Sequence, residues 1–378
     1  MKAAASVSRL QLILATAAVL LMSPGMLPAQ NAGTDPGEEK VLNVYNWSDY
    51  VAPDTISNFE EEFGIRVNYD LYDSTEVVEA KLLAGHTGYD VVFHATRYSA
   101  RLIPIGVYQP LDKEQLTLWS NLDPWVLGIM DGYDPGNRYG LPYMWGNTGY
   151  AINVEMVEAR MPDAPLGSGA MLFNPEVISR FADCGVSFLD EPTDVIPMVL
   201  QYLGYDPNSL VPEQIAEAEA QLKSVRPYIR YFSSTRMINA LPNEEVCIAM
   251  SWSGDYLQAM NRAEEVGAHV QMAYYAPREG TVYWFDGVFI PADAPHPGNA
   301  HLFLNYLLRP DVIAAISNTT NYANANLASL PYLNPGIIEN PATYPSQEER
   351  NRAAIGYIFG PKDERLRTRA WSRVKTGL

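Results

Sequence analysis

Cysteine is scarce in this chain: two of 378 residues, Cys184 and Cys247. At roughly 150 residues per domain the length suggests two domains. A chain that long buries a core without a disulfide framework or a structural metal. Histidine is nearly as rare. His86, His94, His269, His296 and His301 have no metal-ligand spacing, so each reads as a surface or loop residue and no metal is expected. Positive charge is in deficit, with 26 Lys and Arg against 44 Asp and Glu, a formal net charge of −18. That balance argues against nucleic acid or an anionic membrane as partner and suits a small cationic ligand. G-x-S-x-G, P-loop and H-E-x-x-H motifs are all missing. Carboxylate-pair chemistry leaves no motif to look for. The expectation is a protein that is not an enzyme and has no cofactor. There is no fixed-period repeat and no low-complexity tract, and an apolar content of 47% with 19% charged residues excludes wholesale disorder.

Long apolar runs are also lacking. The longest, Leu10 to Met22, is too short to cross a bilayer, which takes about 20 residues. Lys2 and Arg9 precede it, and Pro28, Ala29 and Gln30 follow it. A positive start, a short apolar run and small residues make a secretory signal peptide over 1–30, cleaved near Ala29 or Gln30, although Leu27 fits an A-x-A site poorly. Cleavage removes two positive charges and no negative one, so −18 becomes −20. With no cysteine near the cleavage region, a lipid anchor is not expected, and the mature chain is placed in the periplasm. Residues 31–40 read as a disordered leader. In such a compartment Cys184 and Cys247 can pair, closing a loop worth about 4 kcal/mol in the chain-entropy model, or remain buried thiols.

What is present is alternation of strand and helix. Val41 to Asn46 reads as a buried strand, Pro53 to Phe63 as a helix ended by Gly64, and Ile65 to Leu71 as a second strand. Asp73-Ser-Thr-Glu76 is a capping box that opens a helix to Gly85, and Asp90 to Phe93 is a third strand. The pattern breaks at the Gly- and Pro-punctuated stretch Gly140 to Asn147. A second set follows: helices over 196–203, 212–225 and 256–265, strands over 246–251, 270–275 and 282–290, then helices over 301–308 and 312–316. The tail, Lys362 to Lys375, is basic and carries Trp371, which favours its docking on its own lobe.

Two α/β lobes, each a mainly parallel sheet flanked by helices and joined by two crossover hinge strands, form a clamshell. The boundaries fall at 41–143 plus 281–315 for lobe 1 and 144–280 plus 316–378 for lobe 2. Ligands of open α/β sheets sit at the carboxyl ends of strands. That rule selects Trp47-Ser-Asp-Tyr50, His94 to Tyr98 and Trp252-Ser-Gly-Asp255. Three segments set a Trp near an Asp at an expected strand end: Trp47 with Asp49, Trp252 with Asp255, and Trp284 with Asp286. Carboxylates accept the protons of an alkylammonium. Indole faces hold its methylenes and attract its charge, at about 0.5–2 kcal/mol per good contact.

Tyr45-Asn-Trp-Ser-Asp-Tyr-Val-Ala-Pro-Asp54 resembles the opening of the putrescine- and spermidine-binding proteins of bacterial ABC importers. The resemblance continues through Asp70-Leu-Tyr-Asp73, Cys184 to Asp190, Ile229 to Phe232, Asn305 to Val312, Tyr322 to Asn326 and Arg367 to Trp371, in order along essentially the whole mature chain. It implies a type II periplasmic-binding-protein clamshell, a disulfide between Cys184 and Cys247, a polyamine ligand, a membrane permease as partner and a monomeric chain. Residue by residue it implies an aromatic box of Trp47, Trp252, Trp284 and Tyr322 with Tyr50 at its flank. The ammonium-binding acids become Asp255 and Asp286 at one end and Asp194, for a family Glu, at the other. Ser48 and Asp49 match the segment that closes over the pocket.

The departures fall on the ligand. Where diamine-binding members carry a serine-rich loop after the third strand, this chain has His94-Ala-Thr-Arg97. Arg97 either shortens the acceptable ligand, invites a carboxyl group on it, turns outward, or pairs with Glu191 or Asp194. Asp255 resembles the diamine binders, while Trp284 and Glu191 lean toward a triamine. The expected function is capture of putrescine or spermidine. The alternatives are another amine (agmatine, an amino acid or a carboxylated amine gripped by Arg97) and an amine-sensing subunit.

Overall fold

The computed structural model describes residues 37–377, apart from 73, 348–349, 351–353 and 358. The expected signal peptide and residues 31–36 of the expected leader lie outside these. Residues 37–40 depart from the expectation of disorder. The Glu38 carboxylate accepts the backbone N–H groups of Gly298 (3.0 Å) and Asn299 (2.7 Å), at the start of the helix Pro297–Leu307. A carboxylate there satisfies unpaired donors and meets the positive end of the helix dipole.

The strands are β1 (Val41–Trp47), β2 (Arg66–Tyr72), β3 (Val91–Ala95), β4 (Gly140–Asn153), β5 (Val186–Phe188), β6 (Ile229–Phe232), β7 (Ile248–Trp252), β8 (Met272–Tyr275), β9 (Val282–Phe289), β10 (Ala323–Asn324) and β11 (Ala354–Ile355). They run in the order β2-β1-β3-β9-β4-β7-β5-β6, with β8 and β10 on β4 and β11 on β9. β2, β1 and β3 are parallel, as are β7, β5 and β6. Between the two sets lie β9 and β4, antiparallel to each other and to the sets they join. The first half of β4 pairs with β9, and Thr148 to Ile152 pair with β7. These are the two crossover strands, and the sheet is mixed rather than purely parallel.

β4 is where pattern reading failed. The stretch that reads as a break opens a strand of 14 residues, every one buried. Pro142 sits beside a register shift between Pro142 and Trp145, the kind of irregularity at which a sheet tolerates proline. The early helix Thr55–Phe63 ends as expected, with Gly64 in the left-handed region at φ 63°. The helix Thr75–Ala84 is capped by Ser74 in place of the expected capping box: Ser74 accepts from the N–H of Val77 at 3.4 Å, and Asp73 lies outside the described residues.

Cys184 and Cys247 form a disulfide. They precede β5 and β7, which pair in register at Val186 and Ile248, so the bridge ties the starts of two neighbouring strands. The second lobe packs Phe173, Phe181, Phe188 and Ile248 into a core from which solvent is excluded. Burial of each such side chain contributes about 1.5–3 kcal/mol. The basic tail forms the helix Pro361–Thr376, packed on the helices Pro192–Tyr202 and Pro212–Val225. Trp371 is buried and donates its indole N–H to Asp190 at 3.1 Å.

Residues 322–326, expected in lobe 2, bond to both sets of residues. Ala323 and Asn324 pair with Trp145 and Met144, expected in the same lobe, whereas the Ala325 carbonyl accepts from the N–H of Asp123 (2.7 Å) and Asn326 donates to the Leu308 carbonyl (2.7 Å), both expected in lobe 1. One expectation is corrected. His94 and His301 are not surface or loop residues. His94 lies in β3, fully buried, with Nδ1 3.0 Å from the Tyr108 hydroxyl, and burial lowers its pKa to about 3. His301 sits in the helix Pro297–Leu307, donating Nδ1–H to the Pro297 carbonyl and accepting the Asp112 N–H at Nε2.

Candidate functional site

The carboxyl ends of β1, β3 and β7 converge on a cavity of about 300 Å³. Trp47 is the last residue of β1, Ala95 of β3 and Trp252 of β7. Of the twelve residues expected in the site, eleven line the cavity: Trp47, Ser48, Asp49, Tyr50, Arg97, Glu191, Trp252, Asp255, Trp284, Asp286 and Tyr322. Asp194 does not.

Local geometry fixes each group. Ser48 and Asp49 turn the chain after β1, and Asp49 takes a positive φ of 53°, a region open to Asp through its short polar side chain. Asp255 is in the first turn of the helix Ser253–Glu265, which starts directly after β7. Trp284 and Asp286, expected at a strand end, lie instead in the middle of β9. Two residues apart on a strand, they share one face. Phe285, between them, packs instead against Trp125 and Trp145. Tyr322 follows the helix Pro310–Thr320, whose cap Asn321 is left-handed at φ 61°.

Tyrosines hold two of the acids. The Tyr322 hydroxyl donates to Asp255, and the Tyr50 hydroxyl donates to Asp286 at 2.8 Å. Burial pushes the Asp255 carboxyl up to about 7, against the Tyr322 bond, and the charge of Asp49 adds to the rise. Burial pushes Asp286 up to about 6, against the Tyr50 bond and the Arg97 charge, with Asp194 adding to the rise. The rings form a connected wall: Trp284 meets Tyr322 at 5.0 Å and 76°, Trp252 at 6.4 Å and 70°, and Tyr50 meets Tyr322 at 5.8 Å and 81°. Two glycines make room for it. A Cβ on Gly254 would lie 2.5 Å from the Tyr322 ring, and one on Gly146 would lie 2.6 Å from Trp284.

Arg97 and Asp194 meet instead of serving separately. Nη2 of Arg97 donates to Oδ2 of Asp194 at 3.0 Å, and the Thr148 hydroxyl donates to Oδ1 at 2.7 Å. Burial works against the Arg97 cation, but Asp194, Tyr98 and Glu191 outweigh it and raise its pKa.

Eight further residues line the cavity, among them Ala95, Thr235, Arg236 and Asn239. Gln258 and Arg262 were within reach of sequence reasoning, because 255, 258 and 262 fall on one helix face. Arg236 and Arg262 are paired, with Glu245 and Glu265, each at 2.8 Å.

Two α/β sets bridged by crossover strands around one walled cavity define a solute-binding protein. The chain belongs to the bacterial extracellular solute-binding protein family, whose model matches residues 54–345. It is 46% identical over 355 residues to the putrescine-binding periplasmic protein PotF of Escherichia coli K12, covering 93% of this chain and 96% of that protein. It is 43% identical to the putrescine-binding periplasmic protein SpuD of Pseudomonas aeruginosa (90% of this chain, 93% of that one). It is 32% identical to the spermidine/putrescine-binding periplasmic protein of E. coli K12 (87% and 90%). Among solved structures it resembles the substrate-binding protein PotD of Streptococcus pneumoniae, with a TM-score of 0.72 and 25% identity over 89% of this chain and 99% of that one. Among the described residues no helix is long and apolar enough to cross a membrane, and no cluster of three or more His, Cys, Asp or Glu could hold a metal.

Proposed function

We propose that this chain is the periplasmic polyamine-binding subunit of an ABC importer, closing two lobes on putrescine or spermidine and delivering it to the permease, with no chemistry on the ligand. The observation that carries this reading is the pair of buried carboxyls, Asp255 and Asp286, each steadied by a tyrosine hydroxyl and facing an indole-walled cavity. Such carboxyls hold a proton more readily than in water because burial costs their charge more than the bonds and charges around them return. An alkylammonium supplies that compensation and brings methylenes for Trp47, Trp252 and Trp284 to cover. Glu191 and Asp49 add two more acids along the wall. A ligand that binds the closed form better than the open one draws the lobes together by that difference. The lobes meet where β4 and β9 cross between the parallel sets, and we place 316–334 with lobe 1.

The test is calorimetric titration, at neutral pH, of protein stripped of ligand by unfolding and refolded with its disulfide intact. Putrescine, spermidine, agmatine and 4-aminobutyrate form the panel. Micromolar or tighter binding of a plain polyamine is expected. Silence toward all of them, with a response to 4-aminobutyrate, would favour the carboxylated-amine reading. The 3.0 Å bond that already commits Arg97 to Asp194 speaks against that reading.

A further inference from the structure

We propose that Arg97 is a specificity-determining residue that acts as a built-in cation, holding Asp194 where a ligand ammonium would otherwise go, so that the cavity takes a diamine and rejects a triamine. This rests on the polyamine reading above.

Asp194 is fully buried, and both of its oxygens are committed, Oδ1 to Thr148 and Oδ2 to Arg97. The Arg97 side chain is only 13% exposed yet borders the cavity. Its neighbour Tyr98 fastens the same two segments, with its hydroxyl 2.9 Å from that of Thr193. A surface ion pair gives way to a competing ion at little cost. A buried pair with its remaining lone pairs satisfied does not, because displacing one partner leaves the other charge uncompensated. Arg97, Asp194 and Glu191 together carry one net negative charge, enough for one ammonium. Asp255 and Asp286, the latter paired with Ala95 in the β3–β9 ladder, take the second. A third ammonium would share the Arg97 end with a guanidinium, where Asp194 is already committed. Ala95, at the end of β3, offers no hydroxyl to help it. Trp284 and Glu191 by themselves suit a triamine, and Arg97 reverses that preference.

The experiment measures putrescine and spermidine affinities for the wild type, Arg97→Ser and Arg97→Ser/Asp194→Asn. The wild type is expected to hold putrescine at least about tenfold tighter. Arg97→Ser is expected to move the ratio at least about tenfold toward spermidine, and the added Asp194→Asn to cancel that shift. A wild type that prefers spermidine, a ratio unmoved by Arg97→Ser, or a shift that survives Asp194→Asn overturns the proposal and leaves the polyamine reading standing. Failure of every plain polyamine to bind the wild type overturns both. If Arg97→Ser does not fold, the wild type crystallised with each polyamine decides. The Arg97–Asp194 bond retained beside the ligand supports the proposal, and a ligand nitrogen on Asp194 in place of Arg97 overturns it.

Discussion

The cavity treats its acids in two ways. Asp255 and Asp286 accept from neutral donors, the Tyr322 and Tyr50 hydroxyls and, for Asp255, the Gln258 amide at 3.5 Å, and burial raises both pKa values. Asp194 is just as deeply buried but holds Arg97 and Thr148. The same chemical group is thus left waiting for a cation at Asp255 and Asp286 and supplied with one at Asp194. Burying a carboxylate creates a demand for positive charge, and whether the ligand or the protein meets that demand decides what the site selects.

The largest expected effect on this contrast comes from Asp286→Asn. It should weaken putrescine binding about 100-fold or more by titration, since removing one partner of a buried ion pair costs about 3–5 kcal/mol. Gly254→Ala should come next. Its Cβ would push Tyr322 off Asp255, and a loss of about tenfold is expected, of the order of one hydrogen bond to a charged group. Trp252→Ala should cost roughly three- to thirtyfold, the range of one cation–π contact. The smallest effect on binding should follow Cys184→Ala/Cys247→Ala. Loss of the bridge should lower unfolding stability by about 4 kcal/mol in the chain-entropy model, read by denaturant titration, while the preference between polyamines stays in place.

Much of the near side of this site was legible. A strand end followed by a polar turn is a local signal, and Trp47, Asp49, Trp252 and Asp255 all follow from it. Trp284 and Asp286 are legible as a pair through their spacing, although they sit mid-strand. Tyr322 depends on a contact with Asp255 across 67 residues, and only the family resemblance pointed to it. The Arg97–Asp194 bond spans 97 residues between two elements. Sequence could name it as one of several fates for Arg97 but could not choose among them. The misreading of β4 has a physical cause. Gly and Pro mark breaks in ordinary strands, but here Gly146 admits Trp284 and Pro142 occupies an irregular register.

The central claim is that ligand cations compensate Asp255 and Asp286, and a pH series of putrescine titrations tests it most directly. Both carboxyls lose their charge as pH falls through about 7 and about 6 respectively, while putrescine stays doubly charged. Affinity should therefore fall by about 1,000-fold between pH 8 and pH 5, about 100-fold through Asp255 and about tenfold through Asp286. Ligand-free stability should run the other way. The folded pKa values lie above the unfolded value of about 3.9, so the contribution of these two carboxyls to stability is fully present below that and is lost as pH rises toward about 7. Putrescine affinity that is flat across this range, or stronger at pH 5 than at pH 8, would contradict the account.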